Sequence, residues 1–201
     1  MLGLYIGIIL LLNIPYVQHR MSVLVAKELS TVLGSELTVG RINIGLLNRI
    51  IIDDLVLNDQ SGKELLKIGR LSAKFEILPL FSGKISIGNV QLFSFNANLE
   101  RPTPQASTNF QFVLDAFASK DTVKKKSNLD LRINSLLIRR GKVSYDVLSA
   151  ESTPGKFNPQ HIRLSNILAN ISLKALQNDS VNAAIKRMSV EAVSYTHLTL
   201  P

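Results

Sequence analysis

The stretch LSAKFEI (residues 71–77) decides the fold class. Leu71, Ala73, Phe75 and Ile77 alternate with Ser72, Lys74 and Glu76. A period of two sends successive side chains to opposite faces, so this is a strand with one apolar and one polar face. The same period continues outward on both sides. Upstream, Leu37 and Val39 open a strand that Ile42 and Ile44 continue in the opposite phase. The slip falls at Gly40 and predicts a bulge or bend. Ile50 to Leu57 gives another strand, and Asp59-Gln60-Ser61-Gly62 a turn before Leu65. Downstream, Pro79 and Gly83 bracket a connection. Ile85 and Ile87, then Phe93, Phe95, Ala97 and Leu99, predict strands that end at Arg101-Pro102.

A polar Pro/Ser/Thr loop, RPTPQASTN (101–109), follows. Phe110 to Phe117 is a short apolar segment whose period suits a helix or a strand, and Lys124 to Lys126 marks a basic linker. Strands resume at Leu129, Leu131 and Ile133, then Leu136 and Ile138, then Val143, Tyr145 and Val147. A loop with Pro154, Gly155 and Pro159 separates them from Ile162, Leu164, Ile167, Ala169, Ile171 and Leu173. The segments 85–99, 131–145 and 162–176 share a pattern: an alternating run, a polar or Gly interruption with a phase slip, and a second run. Stacked hairpin-like units or an antiparallel sandwich would both produce it.

Toward the start, Gln18 to Leu33 predicts an amphipathic helix, with Met21, Leu24, Val25, Glu28, Leu29 and Val32 at three- and four-residue spacing and Gly34 as its stop. Leu2 to Val17 carries no charge. As a helix it would span roughly 24 Å, against a hydrocarbon core of about 30 Å. It lacks the basic start and small-residue cleavage site of a signal peptide. We read it as a transmembrane anchor whose own start is missing. Arg20 and Lys27 follow it, which under the positive-inside rule would place the remainder in the cytoplasm; a basic flank before residue 1 would reverse that. They are candidate membrane-surface contacts. The organisation expected is therefore an anchor (1–17), an amphipathic helix (18–34), a first β-rich segment (35–101), a loop, apolar segment and basic linker (102–128), a second β-rich segment (129–193), and a tail (194–201). That tail, SYTHLTLP, breaks the pattern and reads as non-native, so His197 carries no weight as a ligand.

The chain has 201 residues, 46% hydrophobic and 19% charged, enough to bury a core. The absence of cysteine excludes disulfides, cysteine-ligated zinc and thiol catalysis within it. A net charge of +8 permits attraction to anionic surfaces, but Lys124 to Lys126 lacks interleaved aromatics, so nucleic acid is not an expected partner. No catalytic or metal-binding residues emerge. His19 and His161 have no partner at metal-binding spacing, and no phosphate-cradling glycine loop appears. Asp53-Asp54 is the one acidic pair; adjacent strand residues point to opposite faces, so it reads as a strand end or bend, not a carboxylate dyad. No cofactor is expected, and the chain reads as non-enzymatic.

A resemblance rests on features in order: an apolar segment ending NIPYVQ (13–18), the helix HRMSVLVAKELSTVLGSEL (19–37), the block VGRINIGLLNRIIIDDLVLNDQSGKELLKIGRLSAKFEILPLFSGKISIGNVQL (39–92), and TNFQFVLDAF (108–117) before a charged linker. Over roughly residues 2–175 this resembles the N-terminal part of TamB-type translocation and assembly module proteins of the AsmA-like superfamily, in the Bacteroidetes version. The resemblance implies an inner-membrane protein, mainly β, whose helix leads into a curled antiparallel sheet that crosses the periplasm with an apolar groove. It also implies phospholipid acyl chains as cargo, moved toward the outer membrane. The alternative is a scaffold for outer-membrane protein assembly beside an Omp85-type barrel, engaged through a C-terminal domain outside this chain. The groove candidates are Leu71, Ala73, Phe75, Ile77, Ile85, Ile87, Phe93 and Phe95. The same residues could instead fill a closed core.

Overall fold

A computed structural model describes residues 10–45, 48–76, 86–117, 134–153, 156–177 and 180–192, together with Gly3 and Gly7. The described elements are α1 (Pro15–Leu33), β1 (Leu37–Gly45), β2 (Arg49–Asn58), β3 (Glu64–Glu76), β4 (Ser86–Arg101), α2 (Gln111–Phe117), β5 (Ser135–Val147), β6 (His161–Gln177) and β7 (Ser180–Ala192). The strands form one open seven-stranded sheet in the order β1 to β7, so the two expected β-rich segments are parts of a single sheet.

α1 begins where Pro15 fixes φ at its first position, after an extended Ile14. It ends at Gly34, whose φ of 64° is left-handed and whose N–H returns to the Ser30 carbonyl at 2.9 Å. Of the expected apolar stripe Leu29 packs against the core cluster, and Met21 and Val25 are half-buried. The buried side of α1 is Gln18, Ser22 and Leu33, with Ala26 and Leu29 partly buried beside them, and Leu24 and Val32 are exposed. α1 also shields the outer edge of β1. Ser30 Oγ accepts from Leu37 N–H at 2.9 Å and lies 3.3 Å from the Leu37 carbonyl, and Asn13 Nδ2 donates to the Ile44 carbonyl at 2.8 Å. Covering an edge in this way removes a template for unwanted pairing. Among the described residues no helix is long and apolar enough to cross a membrane. Of the anchor segment, Met1, Leu2, Leu4 to Ile6, Ile8 and Ile9 lie outside the described residues, as do the basic linker and the tail.

The β2–β3 turn is built on Asp59. Its Oδ1 accepts from Ser61 N–H at 2.8 Å, Ser61 Oγ at 2.6 Å and Lys63 N–H at 3.0 Å, while Gly62 supplies a φ of 85°. Phe110 to Phe117, which suited helix or strand equally, contains the helix α2. Phe110, Phe112, Val113 and Ala116 pack with Leu33 of α1 over Leu37, Leu55, Leu57, Leu65 and Ile68. This is the core. Burying each such aliphatic side chain contributes about 1.5–3 kcal/mol.

The expected antiparallel sheet is corrected at one pairing. β4 and β5 run parallel, from Asn89↔Ser135 to Arg101↔Val147, and the other neighbours are antiparallel. A parallel neighbour needs a connection long enough to return to the starting end of the sheet, and residues 102–134 provide it. The stacked hairpin-like units are also corrected. The described parts of segments 85–99, 131–145 and 162–176 fall in β4, β5 and β6, one strand each, and the interruption lies within the strand.

Candidate functional site

Those interruptions line up across the sheet. The ladder passes from Val39↔Leu55 to Arg41↔Asp53, skipping Gly40 and Asp54, and from Leu55↔Ile68 to Asp53↔Arg70, skipping Asp54 and Gly69. It passes over Ser94 between Ile68↔Phe95 and Arg70↔Phe93, over Arg140 between β4 and β5, and over Asn166 between β6 and β7. Asp54, Ser94, Arg140 and Asn166 have left-handed φ of 56°, 53°, 53° and 49°. Gly40 belongs to the same line because a Cβ there would meet Asp54 Cβ at 3.0 Å. Each irregularity bends its strand and adds one residue to one face.

The extra residue always falls on the polar face. Apolar residues on the other face are therefore spaced by two within each half-strand and by three across the break: Val39/Ile42, Ile52/Leu55, Ile68/Leu71, Leu92/Phe95 and Leu164/Ile167. Cross-strand registers join them into rows. Ile44, Ile50, Ala73, Val90, Leu136, Ile171 and Ile185 form one, and Ile42, Ile52, Leu71, Leu92, Ile138, Ala169 and Met188 a second. Beyond the break, Leu37, Leu57, Leu66, Ala97, Val143, Leu164 and Ala192 form another. One face is thus apolar across all seven strands. The core under α1 and α2 draws on its β1–β4 part. At β7, the last strand of the sheet, Ile185, Met188 and Val190 are 62%, 57% and 41% exposed.

The sequence-expected groove residues divide. Leu71 and Phe95 lie on the apolar face, partly buried against the helix-covered cluster, and Ala73 occupies the adjacent row. Phe75 and Ile87 are register partners in β3 and β4. Ile77 and Ile85 lie outside the described residues. Phe93 does not join Phe95. The left-handed Ser94 between them reverses the alternation, so Phe93 lies opposite Arg70 and Arg139 on the polar face, with the Arg139 guanidinium 5.9 Å from its ring centre. The same effect corrects the reading of Asp53 and Asp54. Left-handed backbone at Asp54 brings both carboxylates to one side, where they line a depression with Gly40, Arg41, Gly69 and Arg70. Arg70 Nε donates to Asp53 Oδ1 at 2.6 Å, and that hydrogen bond and the Asp53 and Asp54 charges raise the Arg70 pKa further.

Arg20 and Lys27 are exposed on the outward side of α1, with Tyr16, Val23 and Leu24, and Arg20 Nε donates to the Tyr16 hydroxyl at 3.2 Å. Sequence reasoning did not single out Ile185, Met188 and Val190. Met188, Val190 and Ala192 alternate in MSVEA (188–192), the signal that could have found them.

His161, which has no partner at metal-binding spacing in the sequence, finds one across the β5–β6 ladder. Its Nδ1 lies 2.8 Å from Asp146 Oδ1, its Nε2 lies 3.1 Å from the Ala150 carbonyl, and Arg163 Nη2 lies 2.7 Å from Asp146 Oδ2. The hydrogen bond to Asp146, then that to Ala150, raises the His161 pKa. Burial pushes Asp146 upward, but hydrogen bonds from Arg163 and His161 and their charges outweigh it and leave its pKa lowered. A catalytic carboxylate–imidazole pair needs its far nitrogen free for a nucleophile. Here that nitrogen faces a backbone carbonyl, so the cluster clasps the β5–β6 connection. Among the described residues there is no group of three or more histidine or acidic side chains placed to hold a metal ion. Compared with protein-family models and with curated proteins, the chain matches none.

Proposed function

We propose that the chain is the membrane-proximal part of an inner-membrane-anchored periplasmic bridge, and that its apolar sheet face shelters phospholipid acyl chains on their way to the outer membrane. The single observation that carries this reading is the asymmetry of that face. Its aliphatic rows run unbroken from β1 to β7, and its β7 end leaves Ile185, Met188 and Val190 exposed. Acyl chains laid against such a wall gain about 0.8 kcal/mol per buried CH₂ without any catalyst. The outward side of α1 supports membrane proximity. Tyr16, Arg20, Val23, Leu24 and Lys27 mix aromatic, basic and aliphatic groups, as a helix resting at a lipid interface does. The resemblance to TamB-type proteins points the same way.

A second reading follows from β7 itself. Among the described strands it pairs on its β6 side alone, and an edge of that kind is what an incoming strand extends in a scaffold for outer-membrane proteins. A titration separates the two. A phospholipid with a fluorescent acyl chain binds the intact chain. The double substitution Ile185→Asp/Met188→Asp, at exposed positions, weakens binding at least tenfold. Thr38→Asp, exposed on the opposite face of β1, leaves it unchanged. Equal binding by all three proteins would falsify the lipid reading.

A further inference from the structure

The geometry points to a phosphate-binding site on the polar face of the sheet, formed by Arg70, Ser94 and Arg140 around Gly69. It lies on the face opposite the proposed acyl-chain surface and does not depend on it. Two depressions follow the line of strand breaks on this face. In the first, Asp53 and Asp54 balance Arg41 and Arg70. The second is lined by Gly69, Arg70, Phe93, Ser94 and Arg140, two guanidiniums and a hydroxyl with no carboxylate among them.

Each component has donors to spare. Arg70 uses Nε on Asp53, and its two Nη groups have no hydrogen-bond partner among the described residues. Arg140 has no ion pair or hydrogen bond among the described residues, and it is exposed. Arg139 covers the Phe93 ring at the margin. Lys67 and Lys142 are both register partners of Asn96, so they flank the depression on the same face and add to its field. A guanidinium presents its N–H groups as a planar fork that matches two oxygens of a phosphate, and such charge-assisted bonds are about twice as strong as neutral ones.

The backbone supplies the second argument. Arg140 holds a φ of 53°, a conformation that long side chains rarely adopt. Strain of this sort gathers at sites where a side chain must be held in place. At Arg140 it carries the guanidinium to the cationic side of the break.

The test uses the intact chain in low salt. Inorganic phosphate is titrated by calorimetry, and flotation is measured with phosphatidylcholine vesicles with and without phosphatidylglycerol. Arg140→Gly removes the cation and relieves the backbone. Its phosphate affinity falls about tenfold while its thermal midpoint holds or rises. Arg41→Gln, in the balanced depression, changes neither. Arg140-dependent binding of inorganic phosphate alone assigns the site to a soluble phosphate. Arg140-dependent flotation only with phosphatidylglycerol assigns it to a lipid headgroup. Wild-type behaviour of Arg140→Gly with both probes, or a lowered thermal midpoint that accounts for its loss, overturns the proposal.

Discussion

Gly141 lies directly beneath the Phe95 ring, and a Cβ built there would overlap ring atoms Cε1, Cζ and Cδ1. Phe95 packs, half-buried, against the core cluster, so its ring must shift from those contacts to admit a methyl group. Gly141→Ala therefore lowers stability by about 1–3 kcal/mol in urea unfolding, and adding Phe95→Leu restores part of it. His161 sets a different dependence. Its folded pKa is raised above the ordinary 6.5, so its contribution is whole below that value and is lost as pH climbs through the raised one. Asp146 is lowered from 3.8, so its contribution is whole above that value and is lost as pH falls through the lowered one. The clasp is strongest between the two ordinary values. Thermal midpoints measured from pH 5 to pH 8.5 should fall across the upper part of that range for the native chain, and His161→Gln should flatten the fall. None of this could be read locally, because Asp146 and Phe95 reach His161 and Gly141 only through strand registers.

The strands from β1 to β6 are each two half-strands joined by a break, and the type of residue at the break decides how plainly a sequence announces it. Gly40 declared its slip. Asp54 and Asn166 are of the types that tolerate left-handed backbone, so a bend at Asp53-Asp54 was foreseeable. Ser94 and Arg140 give no such sign. For that reason alternation alone puts Phe93 on the face of Phe95. A β-branched residue suits left-handed backbone worst of all. Ser94→Val should cost about 1–2 kcal/mol, whereas Ser94→Gly should stay within about 0.5 kcal/mol of the native chain, both measured by urea unfolding. Ser94 is exposed, so packing does not confound the comparison. α1 shows the converse case. Its start at Pro15 lies three residues before the one that spacing predicts, while its Gly34 stop followed from residue type. Its buried side did not, because Gln18 is held there by the Asn43 side chain at 2.7 Å, a contact no hydrophobic period encodes.

Across the molecule, the mainly β character and the turn at Asp59 were legible because alternation and turn chemistry are local signals. The direction of β5 was not. Nothing in Ser135–Val147 distinguishes a strand that will lie parallel to its neighbour from one that will lie antiparallel. That choice goes with the length of the connection, residues 102–134. It also bears on how the chain finds its shape. Pairings such as Ile44↔Ile50 close over a few residues and lose little chain entropy, whereas Asn89↔Ser135 must close a far longer loop before any contact repays it. The β4–β5 seam should therefore be the slow step. The early strands, weighted down by α1 and α2, would assemble first as a platform, and β5 to β7 would zip onto its waiting margin afterwards.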